Sequence, residues 1–195
     1  MTDPGPLDLL RAVVEILDDL GVPYALGGSM ASSFIGEPRS TVDVDVAIRL
    51  EAELVEDLLR RARASFYLPE EAARRAIEAH ESFNLLDTET AMKVDLFVVG
   101  DSLLDRMQIE RRIQVQVPGF PVALWVTSPE DQVLRKLAWF RSGGSVSDRQ
   151  WRDVVGILRV QAPTIDVAYV QRTALEVGLD RDLAAALVEA GLVER

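Results

Sequence analysis

The residues of this 195-residue chain whose types and spacing could do chemistry begin with Tyr24-Ala-Leu-Gly-Gly-Ser29, followed after 13 residues by Asp43-Val-Asp45. Side chains alternate along a strand, so Asp43 and Asp45 are expected to point one way while Val42, Val44 and Val46 enter the core. Two adjacent carboxylates repel, and burying them is costly unless a cation neutralises them. Magnesium prefers carboxylate oxygens together with substrate phosphates. The pattern therefore suits transfer of a nucleotide from a nucleoside triphosphate held by two Mg2+ ions. Gly27 and Gly28 would let the backbone approach phosphate oxygens, with Ser29 and the following helix N-terminus donating to them. Plainer readings exist for each piece. Gly27-Gly28-Ser29 also reads as a turn opening a helix with Ser29 as N-cap, and an exposed Asp-x-Asp as a solubility device on an edge strand. The two signals together favour the metal site.

A third carboxylate is available in Met92-Lys-Val-Asp95-Leu-Phe-Val-Val99, where Lys93 and Asp95 share one face of an apolar strand. Such a residue is usually paired or coordinated. Asp95 could join Asp43 and Asp45 as a metal ligand and help deprotonate an attacking hydroxyl, or it could simply pair with Lys93. Further along, Ser128-Pro-Glu-Asp131 and Ser147-Asp-Arg-Gln150 read as capping boxes that open two helices. On the second helix Arg149, Asp153 and Gly156 fall on one face, where an ordinary Arg149–Asp153 ion pair is the simplest expectation. Trp139 and Trp151 read as packing residues, and His80 as a surface residue near a helix end.

The elements that must position these groups follow from periodicity. Leu7 to Leu20 repeats at helical spacing and is stopped by Gly21 and Pro23. Tyr24 to Leu26 reads as a short buried strand, Ser29 to Ile35 as a short helix, Val42 to Ile48 as a strand and Glu51 to Ala64 as a helix. Ser82 to Leu86 and Met92 to Val99 are expected to form a hairpin, and Ile109 to Val117 and Val122 to Val126 two more strands. From Ser128 onward the pattern is helical. The expected class is α+β: a mixed β-sheet core flanked by helices over residues 1–127, and a C-terminal helical bundle over 128–195.

Composition bounds the function. With 48% hydrophobic residues and a mean hydropathy of +0.09 the chain has the profile of an ordinary globular protein. It has no cysteine and a single histidine, which excludes a disulfide framework, a thiolate zinc site and a histidine-rich metal cluster. A net charge of −11 argues against nucleic-acid binding over the whole surface, although basic residues gather between Arg135 and Arg159. No signal-peptide pattern or membrane-length apolar run is seen, so the expected location is cytoplasmic, away from membranes.

The order Gly27-Gly28-Ser29, Asp43-Val-Asp45, Lys93-Val-Asp95, Leu134-Arg-Lys-Leu-Ala-Trp-Phe-Arg141 and Asp148-Arg-Gln-Trp-Arg-Asp153 resembles the DNA polymerase β-type nucleotidyltransferase superfamily. Within it the chain looks most like the AbiEii/MenT-type, toxin-like branch, over about Tyr24 to Ile157. The resemblance implies a nucleotidyltransferase core and a pyrophosphate-releasing transfer of a nucleoside monophosphate to an acceptor hydroxyl. It implies that Asp43, Asp45 and Asp95 hold Mg2+, with Mn2+ as a substitute, and that Gly27, Gly28 and Ser29 contact the triphosphate. Lys136 would engage triphosphate or acceptor, Asp153 would be an essential carboxylate beside it, and Arg141 and Arg149 would assist nucleotide binding. The implied partners are a nucleoside triphosphate and an acceptor such as tRNA, with a cognate antitoxin as a candidate. A small molecule of the aminoglycoside kind, a partner protein, or a degenerate nucleotide-binding or antitoxin module remain the alternatives.

Overall fold

The computed structural model describes residues 5–194; Met1–Pro4 and Arg195, at the ends of the two expected segments, lie outside it. Helix α1 (Pro6–Asp19) buries Leu9, Leu10, Val13, Val14 and Leu17 as one apolar stripe. Gly21 takes a left-handed φ of 66°, which reverses the chain into β1 (Tyr24–Leu26), buried throughout. Helix α2 (Gly28–Ile35) follows directly. Then come β2 (Val44–Ile48), a single tight turn at Ala52–Leu54, α3 (Val55–Ser65), α4 (Glu70–Glu78), β3 (Ser82–Leu86) and β4 (Lys93–Val98). Helix α5 (Leu103–Glu110), β5 (Ile113–Val115) and β6 (Leu124–Val126) complete the sheet region. Among the described residues four helices follow: α6 (Pro129–Ser142), α7 (Asp148–Val160), α8 (Val167–Glu176) and α9 (Asp180–Ala190).

The six strands form one mixed sheet in the order β3-β4-β2-β1-β6-β5. β1 runs antiparallel to β2 and parallel to β6, and β2 runs parallel to β4. Antiparallel pairs close both edges, β3 on β4 and β5 on β6. Alternation sorts the two faces. Val44, Val46 and Ile48 of β2 and Val94, Leu96 and Val98 of β4 join the main core beside α1 and α3. The opposite face carries Asp45, Ala47, Asp95 and Phe97. There Ile109 of α5 covers only the small residues Ala25 and Ala47, so the Asp45 end stays open. The expected α+β class, a mixed sheet flanked by helices, is the observed one. The main apolar core is continuous from the sheet into α6, α7, α8 and α9, through Val126, Leu134, Ile157, Ala174 and Leu187.

Three local expectations need correction. Val42 is 68% exposed and precedes β2, so it does not enter the core; strand pairing begins only at Val44. Ile109 to Val117 is not one strand. Ser102 caps α5 by accepting from the Asp105 N–H, and Ile109 lies in that helix, buried on the alanines, while only Ile113–Val115 pairs. The Arg149–Asp153 ion pair is absent, because Asp153 is taken by two other cations. Trp151 packs on Phe140 and donates to Glu189 as a structural residue, whereas Trp139 tilts against Phe97 at the rim of a cleft. His80 is exposed, at the end of α4.

Candidate active site

One cleft of about 310 Å³ is lined by Gly28, Ser29, Asp43, Asp45, Asp95 and Lys136, together with Phe97, Trp139, Arg149 and Gln150. The sheet register builds its floor. β2 and β4 pair in parallel so that Asp45 and Asp95 are direct neighbours, on the face opposite the valines. Asp43 stands two residues before Asp45, just outside the strand.

The glycine turn is built against these carboxylates. Gly27 donates its N–H to the Asp45 carbonyl at 2.8 Å, and Gly28 has a φ of 58°. A side chain at Gly28 would collide with the Asp45 carboxylate, so glycine is required both for the conformation and for the space. Gln132 of α6, buried, donates to the Gly28 carbonyl at 2.7 Å and to the Ser32 hydroxyl at 3.0 Å, tying α6 to α2. The Ser29 hydroxyl accepts from Arg39, which leaves its own proton to donate outward.

Arg39 is the residue that the sequence reading missed. Its Nε and Nη2 hold the two oxygens of Asp153 at 2.8 and 3.1 Å, while Nη2 also reaches Ser29. Asp153 in turn accepts from Lys136 Nζ at 2.8 Å, and Lys136 is only 1% exposed. One carboxylate is thus shared by two cations beneath the cleft. Arg39 is the only basic residue between Gly27 and Asp43, which is the signal that could have found it. Arg141 is placed elsewhere: it pairs with Asp182 of α9 at 2.7 Å and does not line the cleft. Arg149 lines it.

The electrostatics divide into a strained half and a satisfied half. Burial pushes the Asp45 carboxyl above its ordinary range, and the charges of Asp95 and Asp43 push it further. Burial draws the Lys136 ammonium down against the opposing pull of Asp153. Burial alone would raise Asp153, but the hydrogen bonds from Arg39 and Lys136 outweigh it and hold that carboxyl below the usual range. Lys93 binds both oxygens of Asp95, at 2.8 and 2.9 Å, and this bond holds its ammonium up.

Among the described residues no three carboxylate or imidazole groups converge closely enough to hold a metal ion. Lys93 Nζ stands at Asp95 in that role. The donor set nevertheless fits a hard divalent cation: Asp45 is desolvated beside a second carboxylate, and within the described residues no group donates a hydrogen bond to its side chain.

No protein-family model and no curated protein matches the sequence. The chain is similar in structure to an antigenic nucleotidyltransferase-like protein from Paracoccidioides brasiliensis, with a TM-score of 0.53 and 21% identity over 91% of this chain and 90% of that one. It is also similar to a putative nucleotidyltransferase from Thermotoga maritima (TM-score 0.50, 16% identity, 78% and 96% of the two chains). A third similar structure is the antibiotic-resistance factor ANT(2'')-Ia (TM-score 0.51, 12% identity, 92% of both chains). These likenesses are of fold, and the fold is that of the nucleotidyltransferases. No described helix is long and apolar enough to cross a membrane.

Proposed function

We propose that the cleft transfers a nucleoside monophosphate from a nucleoside triphosphate to an acceptor hydroxyl, with Mg2+ as the metal. The observation that carries this reading is the placement of Asp45 between Asp95, its neighbour in the sheet, and Gly28, with Asp43, Ser29 and Lys136 around the same opening. A structural ion cluster would match each carboxylate to a cation. Here, among the described residues, Asp43 and Asp45 pair with no cation, while Lys136 and Arg39 share Asp153.

Asp43, Asp45 and, once released by Lys93, Asp95 would hold divalent cations, which supply charge neutralisation at the phosphates. The Ser29 hydroxyl and the first N–H groups of α2 bind phosphate oxygens. Lys136 has one donor engaged by Asp153 and two to offer the triphosphate, and Asp153 with Arg39 fixes its position. Asp95 takes the proton of the acceptor hydroxyl; the new bond forms from that oxygen to the α-phosphorus as the bond to the leaving pyrophosphate breaks. The protein forms no covalent bond, so the rate comes from positioning and preorganised charge.

The acceptor follows from resemblance rather than from the cleft. The AbiEii/MenT-like motif order points to an RNA hydroxyl, with an antitoxin as regulator. The fold likeness to an antibiotic-resistance factor supports a small-molecule acceptor as the second reading.

Calorimetric titration of the four nucleoside triphosphates, with and without Mg2+, tests the donor half. Magnesium-dependent binding that disappears in Asp43→Ala/Asp45→Ala is expected. Failure of the well-folded native protein to bind any of them would sink the reading in favour of a non-enzymatic module.

A further inference from the structure

A second cavity, of about 230 Å³, is lined by both members of the Arg39–Asp153 pair, neither of which lines the carboxylate cleft. Arg39, Arg149, Arg152, Gly156 and two carboxylates, Asp153 and Glu37, line it. It is formed where the loop after α2 meets α7, and Gly156 gives it depth, since the Glu37 stem already sits 3.3 Å from where a side chain there would begin. Arg149 lines both this cavity and the carboxylate cleft, so the two are adjoining.

Its charge is unusual for this chain. The chain has 32 acidic residues against 21 basic ones, and among the described residues Arg60, Arg61, Arg63 and Arg74 each meet a carboxylate while Arg75, Arg106, Arg112, Arg172 and Arg181 meet none; what sets this cavity apart is that three guanidinium groups line one small space. Arg149 and Arg152 meet none among the described residues; Arg152 only donates to the Asp148 carbonyl, at 3.3 Å. They are three positions apart on α7, where like charges are mutually unfavourable. Arg39 adds a third guanidinium, held in place by Asp153. The one other carboxylate at the cavity, Glu37, has Arg159 as its nearest cation, at 3.9 Å. Three guanidinium groups converging on a small concave space, two of them without a counterion, is chemistry that recognises a phosphate group. A net charge of −11 repels anions from the molecule at large, so such recognition has to be local.

We infer that this cavity is a phosphate subsite, separate from the carboxylate cleft and joined to it across Arg149. It takes a phosphate of a ligand that extends out of the cleft, carried either by the triphosphate donor or by the acceptor. The inference goes beyond the proposed reaction and does not require the cleft to be catalytic.

The test is titration of inorganic pyrophosphate into the full-length protein by calorimetry in metal-free buffer. Arg152 is exposed, so Arg152→Gln keeps the fold, and Arg172→Gln, an exposed arginine on α8, is the control. Binding that weakens about tenfold or more in Arg152→Gln, the loss of one charge-assisted pair, is expected. It should be unchanged in Arg172→Gln and undiminished in Asp43→Ala/Asp45→Ala. Absence of pyrophosphate binding, or equal weakening in both arginine variants, overturns the proposal. Repeating the titration with saturating triphosphate separates the sources. Competition assigns the subsite to the donor, and persistent binding assigns it to the acceptor. The carboxylate variant tests the catalytic reading independently, because its loss of triphosphate binding does not depend on Arg152.

Discussion

A methyl group added at Gly28 would sit 1.8 Å from Oδ2 of Asp45 and 2.5 Å from its carboxylate carbon. The glycine turn and the acidic strand are therefore one unit: the backbone of the first is shaped around a side chain of the second. Real Cβ atoms never approach this closely, so Gly28→Ala has to displace either the turn or the carboxylate. The residue would also have to hold a φ of 58°, which costs an L-residue roughly 1–2 kcal/mol. Because displacements near 1 Å cost on the order of 10²-fold in rate, we expect nucleotide transfer to fall at least that much. Circular dichroism should still show a folded protein, and undiminished transfer would separate Gly28 from the site.

Asp45 is expected to destabilise the fold at neutral pH. Its carboxyl titrates above its unfolded value of 3.8, so the folded state binds that proton more tightly than the unfolded chain. Its contribution to stability then declines as pH rises from 3.8 through the folded value. Asp45→Asn should raise the melting temperature at pH 7, and the gain should shrink toward pH 4. A variant less stable than the native protein at pH 7 would contradict this assignment.

Asp153 behaves in the opposite sense. Its carboxyl is held below 3.8, so its stabilisation is present above that value and lost as pH falls through the lower folded one. Asp153→Ala leaves Lys136 and Arg39 buried or half-buried without a counterion, and should cost about 3–5 kcal/mol at pH 7. Urea unfolding over a series of falling pH should find that cost largest at pH 7 and shrinking progressively below pH 3.8.

Arg39→Lys tests the fork rather than the charge. A lysine cannot span both Asp153 oxygens and Ser29 at once, so triphosphate affinity should drop while the fold persists. Calorimetry reads this directly; wild-type affinity would show that charge alone suffices.

Divalent cations should relieve the repulsion among Asp43, Asp45 and Asp95. We expect Mg2+ to raise the melting temperature of the native protein, EDTA to reverse the rise, and Asp43→Ala/Asp45→Ala to show no response. An equal shift in the double variant would place the cation elsewhere.

Much of the fold was legible from local pattern. Alternation in Val44–Ile48 and Lys93–Val98 marked the two acidic strands, and helical spacing marked α1, α2 and the run from Ser128. Ile109 misled because an apolar residue followed by alternating ones reads as a strand, while the Ser102–Asp105 capping pair that starts α5 went unread. Val42 misled because alternation says nothing about where pairing begins.

The sequence alone determined which residues could do chemistry, namely a glycine turn able to adopt left-handed φ and carboxylates spaced to share a strand face, while Lys136 and Asp153 were marked only by the family resemblance. The turn and the strand spacing are local properties, dictated by backbone sterics and side-chain periodicity within a few residues. Tertiary structure decided which of these residues meet. The register of a parallel pair brought Asp45 beside Asp95, and packing of α7 on α2 and α6 gave Asp153 to Arg39, 114 residues away, instead of to Arg149 four residues back. It also sent Arg141 to Asp182 and left Arg149 and Arg152 facing a cavity. Charge pairing acts through space at a few ångströms, and only the folded chain determines which groups come that close.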